Sequence, residues 1–275
     1  MNDYQLPPFA HQLVGMQALV EHPFFFLADE MGAGKTKQVI DASQIMHRQH
    51  VIDRVIVVCP ASVRDVWYNE ELGELKKHLW ATTPAVVTEY HARRRQWKSG
   101  LESTSPLRFV ITNFDFIRAR DGDTSRLDYL KAHCNKKTWL IIDESSAVKN
   151  WKAAQTKACL TLRKLCGRVT LLNGTPITNS PEDMFSQGNL MHPSILECKY
   201  ISHYRARYAT QTVVMSSRIG KDGKPMPLTD PYGKYIQKVT GWTNLEELQR
   251  RFAPYVLRRL KSDCLDLPPK MHQWH

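Results

Sequence analysis

A glycine-rich turn between an apolar run and a helix-like stretch is the first feature of the sequence whose residue types could do chemistry. Residues 24–28 are apolar, and Gly32, Gly34, Lys35 and Thr36 follow them. Glycines let the backbone curl so that successive N–H groups face a phosphate, and the N-terminus of the next helix adds partial positive charge. A lysine at this spacing can reach the β- and γ-phosphates, and the next hydroxyl can bind Mg²⁺. The turn therefore predicts a site for a nucleoside triphosphate.

One position of this loop departs from the usual phosphate-binding pattern, G-x-x-x-x-G-K-[ST]. Asp29 stands where that pattern has its first glycine. The alternative is a chance Gly-Lys-Thr at an ordinary turn. An apolar strand before the turn and a helix after it favour a phosphate-binding loop.

Two carboxylates follow another apolar run of strand length. Residues 139–142 are Trp-Leu-Ile-Ile, and Asp143 and Glu144 come directly after them. Open α/β sheets build their sites at the carboxyl ends of strands. There one carboxylate can hold Mg²⁺, which suits Asp143, and a second can orient and deprotonate an attacking water, which suits Glu144. The alternative is a solvated helix cap, since Asp and Glu favour the first turn of a helix.

The elements that must position these residues alternate along the chain. Apolar runs of strand length occupy residues 24–28, 54–59, 85–88, 109–112, 139–142 and 169–172. Polar or helix-like stretches separate them. Continuous apolar strands separated by helices indicate a parallel sheet that is covered on both faces. The predicted fold class is therefore α/β, with a mostly parallel central sheet flanked by helices.

The alternation stops near residue 198, where we place a domain boundary. Residues 1–198 are predicted to form the sheet-containing lobe, 199–252 a smaller, basic and mainly helical subdomain packed on it, and 253–275 a linker. Residues 211–240 are polar and rich in Gly and Pro, which is typical of loops and turns.

Composition excludes several classes of protein. The chain has 275 residues, of which 42% are hydrophobic and 24% charged, unlike a disordered, collagen-like or coiled-coil chain. No apolar stretch approaches the ~20 residues that a bilayer requires, the first residues lack a signal-peptide pattern, and the six cysteines form no C-x-x-C pair. We expect an intracellular protein of the cytoplasm, nucleus or nucleoid, not secreted and without membrane contact. The His and Cys residues lack zinc spacing, so no structural metal is expected.

Positive charge is concentrated in the later half of the chain. Residues 1–150 hold 19 Lys or Arg and 18 Asp or Glu, a net of +1, whereas residues 151–275 hold 19 and 9, a net of +10. This asymmetry suggests a polyanionic partner such as nucleic acid. A surface that merely keeps the protein soluble is the alternative.

Two aromatic and basic clusters are weaker signals. Residues 93–98, Arg-Arg-Arg-Gln-Trp-Lys, could form a phosphate-contacting loop or a solvated helix face, with equal support. Tyr200, Tyr204 and Tyr208 recur at helical spacing, which favours core packing over base stacking.

Six motifs, taken in order, resemble the first RecA-like lobe of Swi/Snf-type ATPases, which belong to helicase superfamily two. They are Gln12 and residues 29–36, 57–62, 111–115, 143–150 and 173–179. The string Asp-Glu-Met-Gly-x-Gly-Lys-Thr is the most specific, and it accounts for Asp29 at the glycine position. The resemblance covers residues 5–270 and implies a RecA-like P-loop fold with ATP and Mg²⁺ as cofactors.

The resemblance also implies a role for each motif. Gln12 would read the adenine edge, and Lys35, Asp143 and Glu144 would be catalytic, with Mg²⁺ at Thr36 and Asp143. The nucleotide would be held by Asp29, Glu30, Met31, Gly32, Ala33, Gly34, Lys35, Thr36 and Asp143. The DNA backbone would be contacted by Pro60, Ala61, Ser62, Thr112, Asn113, Lys149 and Asn150. The two sites would be coupled through Ser146, Gly174, Thr175 and Pro176.

Two departures from the family pattern matter. Ser146 stands where many relatives have His, so this position can form hydrogen bonds but cannot carry charge. Residues 257–261 and 267–270 resemble the stretch that leads into a second lobe, and no arginine-bearing final motif follows. An arginine finger contributes ~10³–10⁵ in rate. A single lobe is therefore expected to bind ATP weakly and to hydrolyse it very slowly, with a second lobe on the same full-length chain or on a separate polypeptide.

The sequence therefore supports one leading hypothesis and two rivals. The leading hypothesis is the ATP-binding lobe of a motor that moves along double-stranded DNA through contacts to its backbone. One rival is a non-catalytic DNA-binding or regulatory module with a relict nucleotide site, and the other is a nucleotide-dependent switch unrelated to DNA.

Overall fold

The central element of the fold is a seven-stranded parallel sheet. The computed structural model describes residues 4–91, 106–119, 121–174, 180–219 and 224–264. The strands are β1 Phe24–Leu27, β2 Arg54–Cys59, β3 Ala85–Glu89, β4 Leu107–Asn113, β5 Thr138–Ile142, β6 Arg168–Leu172, β7 Ala209–Val213, β8 Met215–Ile219, β9 Pro225–Pro227, β10 Gln237–Trp242 and β11 Val256–Leu257. The central sheet has the order β11-β1-β6-β5-β2-β4-β3, and each pairing in it is parallel.

Helices connect and cover these strands. The α-helices are α1 Ala10–Glu21, α2 Lys35–Arg48, α3 Arg64–Tyr68, α4 Glu74–His78, α5 Phe114–Ile117, α6 Ser125–Ala132, α7 Ala154–Arg163, α8 Asp183–Met191, α9 Pro193–Leu196, α10 Ile201–Tyr208, α11 Leu245–Phe252 and α12 Lys261–Cys264, with 3₁₀ turns at Ser145–Val148 and Ala253–Tyr255. The predicted α/β class and mostly parallel sheet are confirmed.

The sheet carries a hydrophobic core on each face. Successive side chains of a strand point to opposite faces, so Val55 and Val57 join one core while Ile56 and Val58 join the other. The first core includes residues of α1 and α2, and the second includes residues of α6, α7 and α8. Both faces are covered, which is why the interior strands carry nearly continuous apolar runs rather than an alternation of apolar and polar residues.

The appended region corrects one part of the sequence prediction. Within the described part of residues 199–252, α10 and α11 accompany two antiparallel ribbons, β7 with β10 and β8 with β9. The region is therefore mixed rather than mainly helical. β-Branched residues such as Thr212 and Val239 pack well on a pleated ribbon, and this preference outweighs the polar, loop-like composition. The boundary at residue 198 stays a prediction.

The first part of the predicted linker, residues 253–275, contributes a strand to the central sheet. Residues 256–257 form β11, which pairs in parallel with β1 at the edge of the central sheet. The Ala28 N–H donates to the Leu257 carbonyl oxygen over 2.7 Å. The first residues after 252 therefore belong to the lobe, and residues 265–275 lie outside the described residues.

Candidate functional site

The glycine-rich loop joins β1 to α2 at the carboxyl edge of the sheet. Gly32 and Gly34 adopt left-handed conformations, with φ values of 84° and 77°. A Cβ atom on Gly34 would lie 2.2 Å from the Gln12 side-chain nitrogen. The left-handed backbone angle therefore favours glycine at position 34, and a larger residue there would displace the end of the Gln12 side chain.

Lys35 is the first residue of α2, and its ammonium lies over the loop. The Nζ atom donates to the backbone carbonyl of Asp29 over 2.8 Å and to that of Glu30 over 3.4 Å. Burial lowers the Lys35 pKa, while the negative charges of Asp143 and Glu144 act in the opposite direction. The structure thus brings Lys35 close to the acidic pair that lies over 100 residues later in the sequence.

Asp29 has an ion-pair partner that sequence reasoning missed. Arg259 donates from Nε to Asp29 Oδ1 over 2.9 Å and from Nη2 to Oδ2 over 2.5 Å. The same guanidinium donates to the backbone carbonyl of His11 and to the Gln38 side chain. A fully buried carboxylate needs such a partner. The sequence placed Arg259 only within residues 257–261, the stretch that resembles the lead into a second lobe, because nothing in the spacing joins positions 230 residues apart.

The remaining loop residues have contacts of their own. Ala33 is buried, and its carbonyl accepts from the Gln12 amide over 3.4 Å and contacts His11 Nε2 at 3.0 Å. The Glu30 carboxylate accepts from the Lys261 N–H over 2.7 Å, and Met31 is 69% exposed. Gln12 therefore lies at the loop, where the sequence placed it, and His11 is an additional neighbour.

Asp143 follows β5 and is fixed at both of its carboxylate oxygens. Oδ1 accepts from the Glu144 N–H over 2.9 Å, and Oδ2 accepts from the Trp67 indole Nε1–H over 2.8 Å. Burial raises the pKa of Asp143, and the two hydrogen bonds and Lys35 act to lower it. A buried carboxylate that is held at both oxygens and faces a lysine has the features of a metal-binding group.

Glu144 adopts a left-handed conformation with φ of 50°, which is uncommon for a residue other than glycine. Burial raises its pKa, Asp143 raises it further, and Lys35 opposes both. Its side chain is half-buried. Glu144 occupies the N-cap position of the 3₁₀ turn Ser145–Val148, but its side chain makes no capping hydrogen bond. Backbone strain and a raised pKa are both frequent at functional sites.

These residues fit a nucleotide with Mg²⁺. The loop presents backbone N–H groups at the start of a 14-residue helix, α2, and Lys35 supplies a positive charge there. Thr36, the second residue of that helix, and Asp143 offer the hard oxygen atoms that Mg²⁺ prefers. The donor set therefore suits ATP and Mg²⁺ on chemical grounds.

The predicted DNA-contacting residues divide by exposure. Ala61 and Ser62 are exposed, Pro60 is half-buried, and the three follow the carboxyl end of β2. Thr112 is fully buried, and its hydroxyl donates to the Tyr90 carbonyl over 2.9 Å. The side chain of Thr112 is therefore engaged inside the protein.

Three further residues of this set lie at or after the carboxyl ends of strands. Asn113 ends β4 and is 4% exposed, Lys149 is half-buried near Asp183, and Asn150 is exposed. The register pairs Cys59 of β2 with Asn113 of β4. Residues 60–62 and Asn113 therefore lie at the carboxyl ends of the neighbouring strands β2 and β4, whereas Lys149 and Asn150 follow the 3₁₀ turn after β5.

Of the predicted coupling residues, Ser146 lies in the 3₁₀ turn after the acidic pair and is half-buried. The Gly174 N–H donates to the Asn173 side chain over 2.9 Å. A Cβ atom on Gly174 would lie 3.1 Å from Met31 Cγ, so this motif contacts the glycine-rich loop. Thr175 and Pro176 lie outside the described residues.

The weaker signals have mixed outcomes. Tyr204 and Tyr208 are fully buried, as core packing requires, but Tyr200 is 54% exposed. Residues 93–98 lie outside the described residues. Among the residues that the structure does describe, no three His, Cys, Asp or Glu side chains group closely enough to hold a metal ion. Within the same described ranges, no helix is both long and apolar enough to cross a bilayer.

Fold and site together define a RecA-like α/β lobe with a glycine-rich loop, a lysine and an acidic pair at one sheet edge. A comparison with known families matches residues 20–275 to the SNF2-related domain. The chain belongs to this family.

Individual relatives agree with this assignment. The chain is 30% identical over 250 residues to a SWI/SNF-related matrix-associated actin-dependent regulator of chromatin subfamily A-like protein 1 homolog of Caenorhabditis elegans. It is 26% identical over 264 residues to the TATA-binding protein-associated factor mot1 of Schizosaccharomyces pombe. Each alignment covers 90% of this chain but only 30% and 12% of the relatives. The chain thus spans a minor part of these proteins.

A solved structure has the same fold. The Sulfolobus solfataricus SWI2/SNF2 ATPase core in complex with dsDNA superimposes with a TM-score of 0.66 at 24% identity. The match covers 94% of this chain and 46% of that one. The predicted resemblance to the first RecA-like lobe of this family is confirmed.

Proposed function

We propose that the chain is the ATP-binding first lobe of a DNA-dependent ATPase that moves along double-stranded DNA. Full hydrolysis requires a second RecA-like lobe. The observation that carries this proposal is the convergence of Lys35, Asp143 and Glu144 beside a loop with two left-handed glycines. Membership of the SNF2-related family, whose members are DNA-dependent ATPases, supports it.

Each site residue has a task in this function. Bound ATP with Mg²⁺ supplies the phosphoryl group and the charge that polarises it. Lys35 exchanges two backbone carbonyls for phosphate oxygens, which offer a stronger, charge-assisted hydrogen bond. Asp143 and Thr36 hold the metal. Glu144 orients a water molecule and accepts its proton, and its raised pKa makes it a stronger base once it is ionised.

The DNA-binding surface in this proposal lies at the same edge of the sheet. Ala61 and Ser62, which follow β2, and Asn150, which follows the 3₁₀ turn after β5, are exposed. Contacts to the phosphate backbone carry no sequence information, as a motor that moves along DNA requires. The solved SNF2 structure in complex with dsDNA supports this partner.

The relict-site rival predicts no saturable nucleotide binding. The experiment is a titration of fluorescent ATP with Mg²⁺ into the wild-type chain, Lys35→Ala and Lys131→Ala. Lys131 lies on α6, where its ammonium pairs with Asp128 over 2.7 Å. We expect saturable binding by the wild type and Lys131→Ala, and a loss of at least about tenfold in affinity for Lys35→Ala, which equals ~1.4 kcal/mol. Equal binding by the two variants would contradict the proposal.

A further inference from the structure

Trp67 is a buried side chain that contacts the acidic pair although no motif includes it. It lies on α3, is fully buried, and belongs to the hydrophobic core on the α1 and α2 face of the sheet. Its indole Nε1–H donates to Asp143 Oδ2 over 2.8 Å. The indole nitrogen is the one polar atom of the ring, and it donates its hydrogen bond to the carboxylate proposed to bind Mg²⁺.

The bond from Trp67 fixes the plane of the carboxylate. Asp143 Oδ1 is held by the Glu144 N–H, which belongs to the next residue and moves with the backbone. Oδ2 is held from a different element by a ring that is locked in the core. A carboxylate that accepts a hydrogen bond at both oxygens has only its remaining lone pairs available for a metal. Because one of these bonds comes from Trp67 on α3, the orientation of the carboxylate depends on the position of α3.

The position of α3 depends in turn on the loop before it. The Val63 N–H donates to the Pro60 carbonyl over 3.0 Å, and the Val66 N–H donates to the Val63 carbonyl over 3.1 Å. Residues 60–63 and α3 therefore form one continuous hydrogen-bonded segment. Its exposed end holds Ala61 and Ser62, and its buried end holds Trp67.

We propose that Trp67 is a positioning residue that holds the Asp143 carboxylate for Mg²⁺ and ties its orientation to the exposed loop 60–63. This proposal rests on the nucleotide-binding function proposed above. A ligand that presses on the loop acts on the metal site through a single rigid ring. The partner of loop 60–63 is the phosphate backbone of duplex DNA.

The chain supplies a matched control for the test. Trp139 is also fully buried in the same core, and its indole Nε1–H donates to the Thr170 hydroxyl over 3.0 Å, within the sheet. Trp67→Phe and Trp139→Phe each remove one indole ring and one buried hydrogen bond. Only the first removes a bond to Asp143, so a general loss of packing affects both variants alike.

The experiment measures how nucleotide binding depends on Mg²⁺. Fluorescent ATP is held at a fixed concentration with the full chain, Mg²⁺ is titrated, and binding is measured again in EDTA. We expect Trp67→Phe to raise the half-saturating Mg²⁺ concentration about tenfold, as the loss of a partner of a metal ligand does, with binding in EDTA unchanged. Trp139→Phe should leave both unchanged. Equal shifts in the two variants, or none in Trp67→Phe, would overturn the proposal.

A second arm tests the link to the loop. Saturating duplex DNA should move the Mg²⁺ midpoint of the wild type and leave that of Trp67→Phe in place, because the Trp67 bond is the link that the proposal places between the loop and Asp143. An unmoved wild type, or equal movement in both proteins, would refute the link. Wild-type protein that binds no nucleotide at all would instead contradict the proposed function.

A measurement on the wild type decides the matter if Trp67→Phe does not fold. The indole N–H signals of ¹⁵N-labelled protein in complex with ATP are recorded before and after Mg²⁺ is added. The Trp67 signal should move and the Trp139 signal should stay. A Trp67 signal that does not respond to the metal would contradict the proposal.

Discussion

Glu144 destabilises the fold when it is ionised, because burial and Asp143 both raise its pKa. A carboxyl group whose pKa is raised by folding costs free energy above that pKa and costs nothing below its ordinary value of 4.5. Glu144→Gln should therefore raise Tm at pH 7, by no more than about 2–4 °C since solvent screens this half-buried group. The gain should shrink as the pH falls toward 4.5. Thermal unfolding at both pH values checks this, and a gain that grows in acid would show the opposite sign.

The same variant separates binding from hydrolysis. Mixed with a second-lobe polypeptide and duplex DNA, Glu144→Gln should bind ATP as the wild type does and release no phosphate, because Gln keeps the shape of the side chain but is not a base. Equal turnover by the two proteins would refute the assigned role.

Gly34 combines a positive φ with a close contact, and a second glycine separates the two effects. Gly34 and Gly122 have φ values of 77° and 81°, but a Cβ atom meets Gln12 at the first and nothing within 4 Å at the second. Gly34→Ala and Gly122→Ala should both lose ~1–2 kcal/mol of stability. Only Gly34→Ala should also lose nucleotide affinity, because its Cβ atom displaces the Gln12 side chain. Each ~1.4 kcal/mol that this displacement costs lowers the affinity about tenfold. Urea unfolding and ATP titration measure the two effects, and an equal loss of affinity would contradict the role of Gln12.

At the scale of elements, one ion pair joins the glycine-rich loop to the edge strand. Arg259 is the second residue after β11, and Asp29 is the second residue after β1, the strand with which β11 pairs. Arg259→Met leaves a fully buried carboxylate without its charge partner, which typically costs about 3–5 kcal/mol. Adding Asp29→Asn should recover part of this loss, because coupled residues show interaction energies of ~0.5–3 kcal/mol.

Denaturant unfolding of the wild type, the two single variants and the double variant measures that coupling. Arg258 is the matched control, since it is adjacent and exposed, and Arg258→Met should change stability by less than about 0.5 kcal/mol. Additive losses in the Arg259→Met and Asp29→Asn pair would show that the two side chains do not depend on each other.

The sequence predicted what depends on local pattern. Continuous apolar runs predicted six of the seven strands of the central sheet, and the rule that open α/β sheets build their sites at the carboxyl ends of strands placed Asp143 and Glu144 at that end. It could not supply Arg259 or the two-residue β11, since a pair 230 residues apart leaves no periodic signal. Trp67 was hidden for another reason. Val63, Val66 and Trp67 recur at helical spacing among polar residues, a pattern that predicts core packing, and only the structure shows where the single indole N–H is directed.

At the scale of the whole molecule, the two ends of the strands differ in function because all strands of the central sheet point the same way. The strands of the central sheet run parallel, so their carboxyl ends share one side of the sheet. The proposed nucleotide and DNA residues lie on that side, and the side with the amino ends holds none of them. This separates two lysine pairs around β5. Lys136 and Lys137 precede the strand, whereas Lys149 and Lys152 follow it. The direction of the sheet therefore predicts which lysines meet a polyanion.

Salt dependence of duplex binding tests that prediction and the DNA-free rival together. Each phosphate contact adds roughly −0.9 to the slope of log affinity against log salt. Lys149→Gln with Lys152→Gln should therefore make the wild-type slope less negative by up to about 1.8, while Lys136→Gln with Lys137→Gln should leave it unchanged. The two double variants lose the same formal charge, so net charge alone changes both slopes equally. A wild-type slope near zero would exclude several phosphate contacts and favour a nucleotide-dependent switch unrelated to DNA. Equal changes in the two double variants would show an effect of net charge and contradict contacts at the carboxyl ends of the strands.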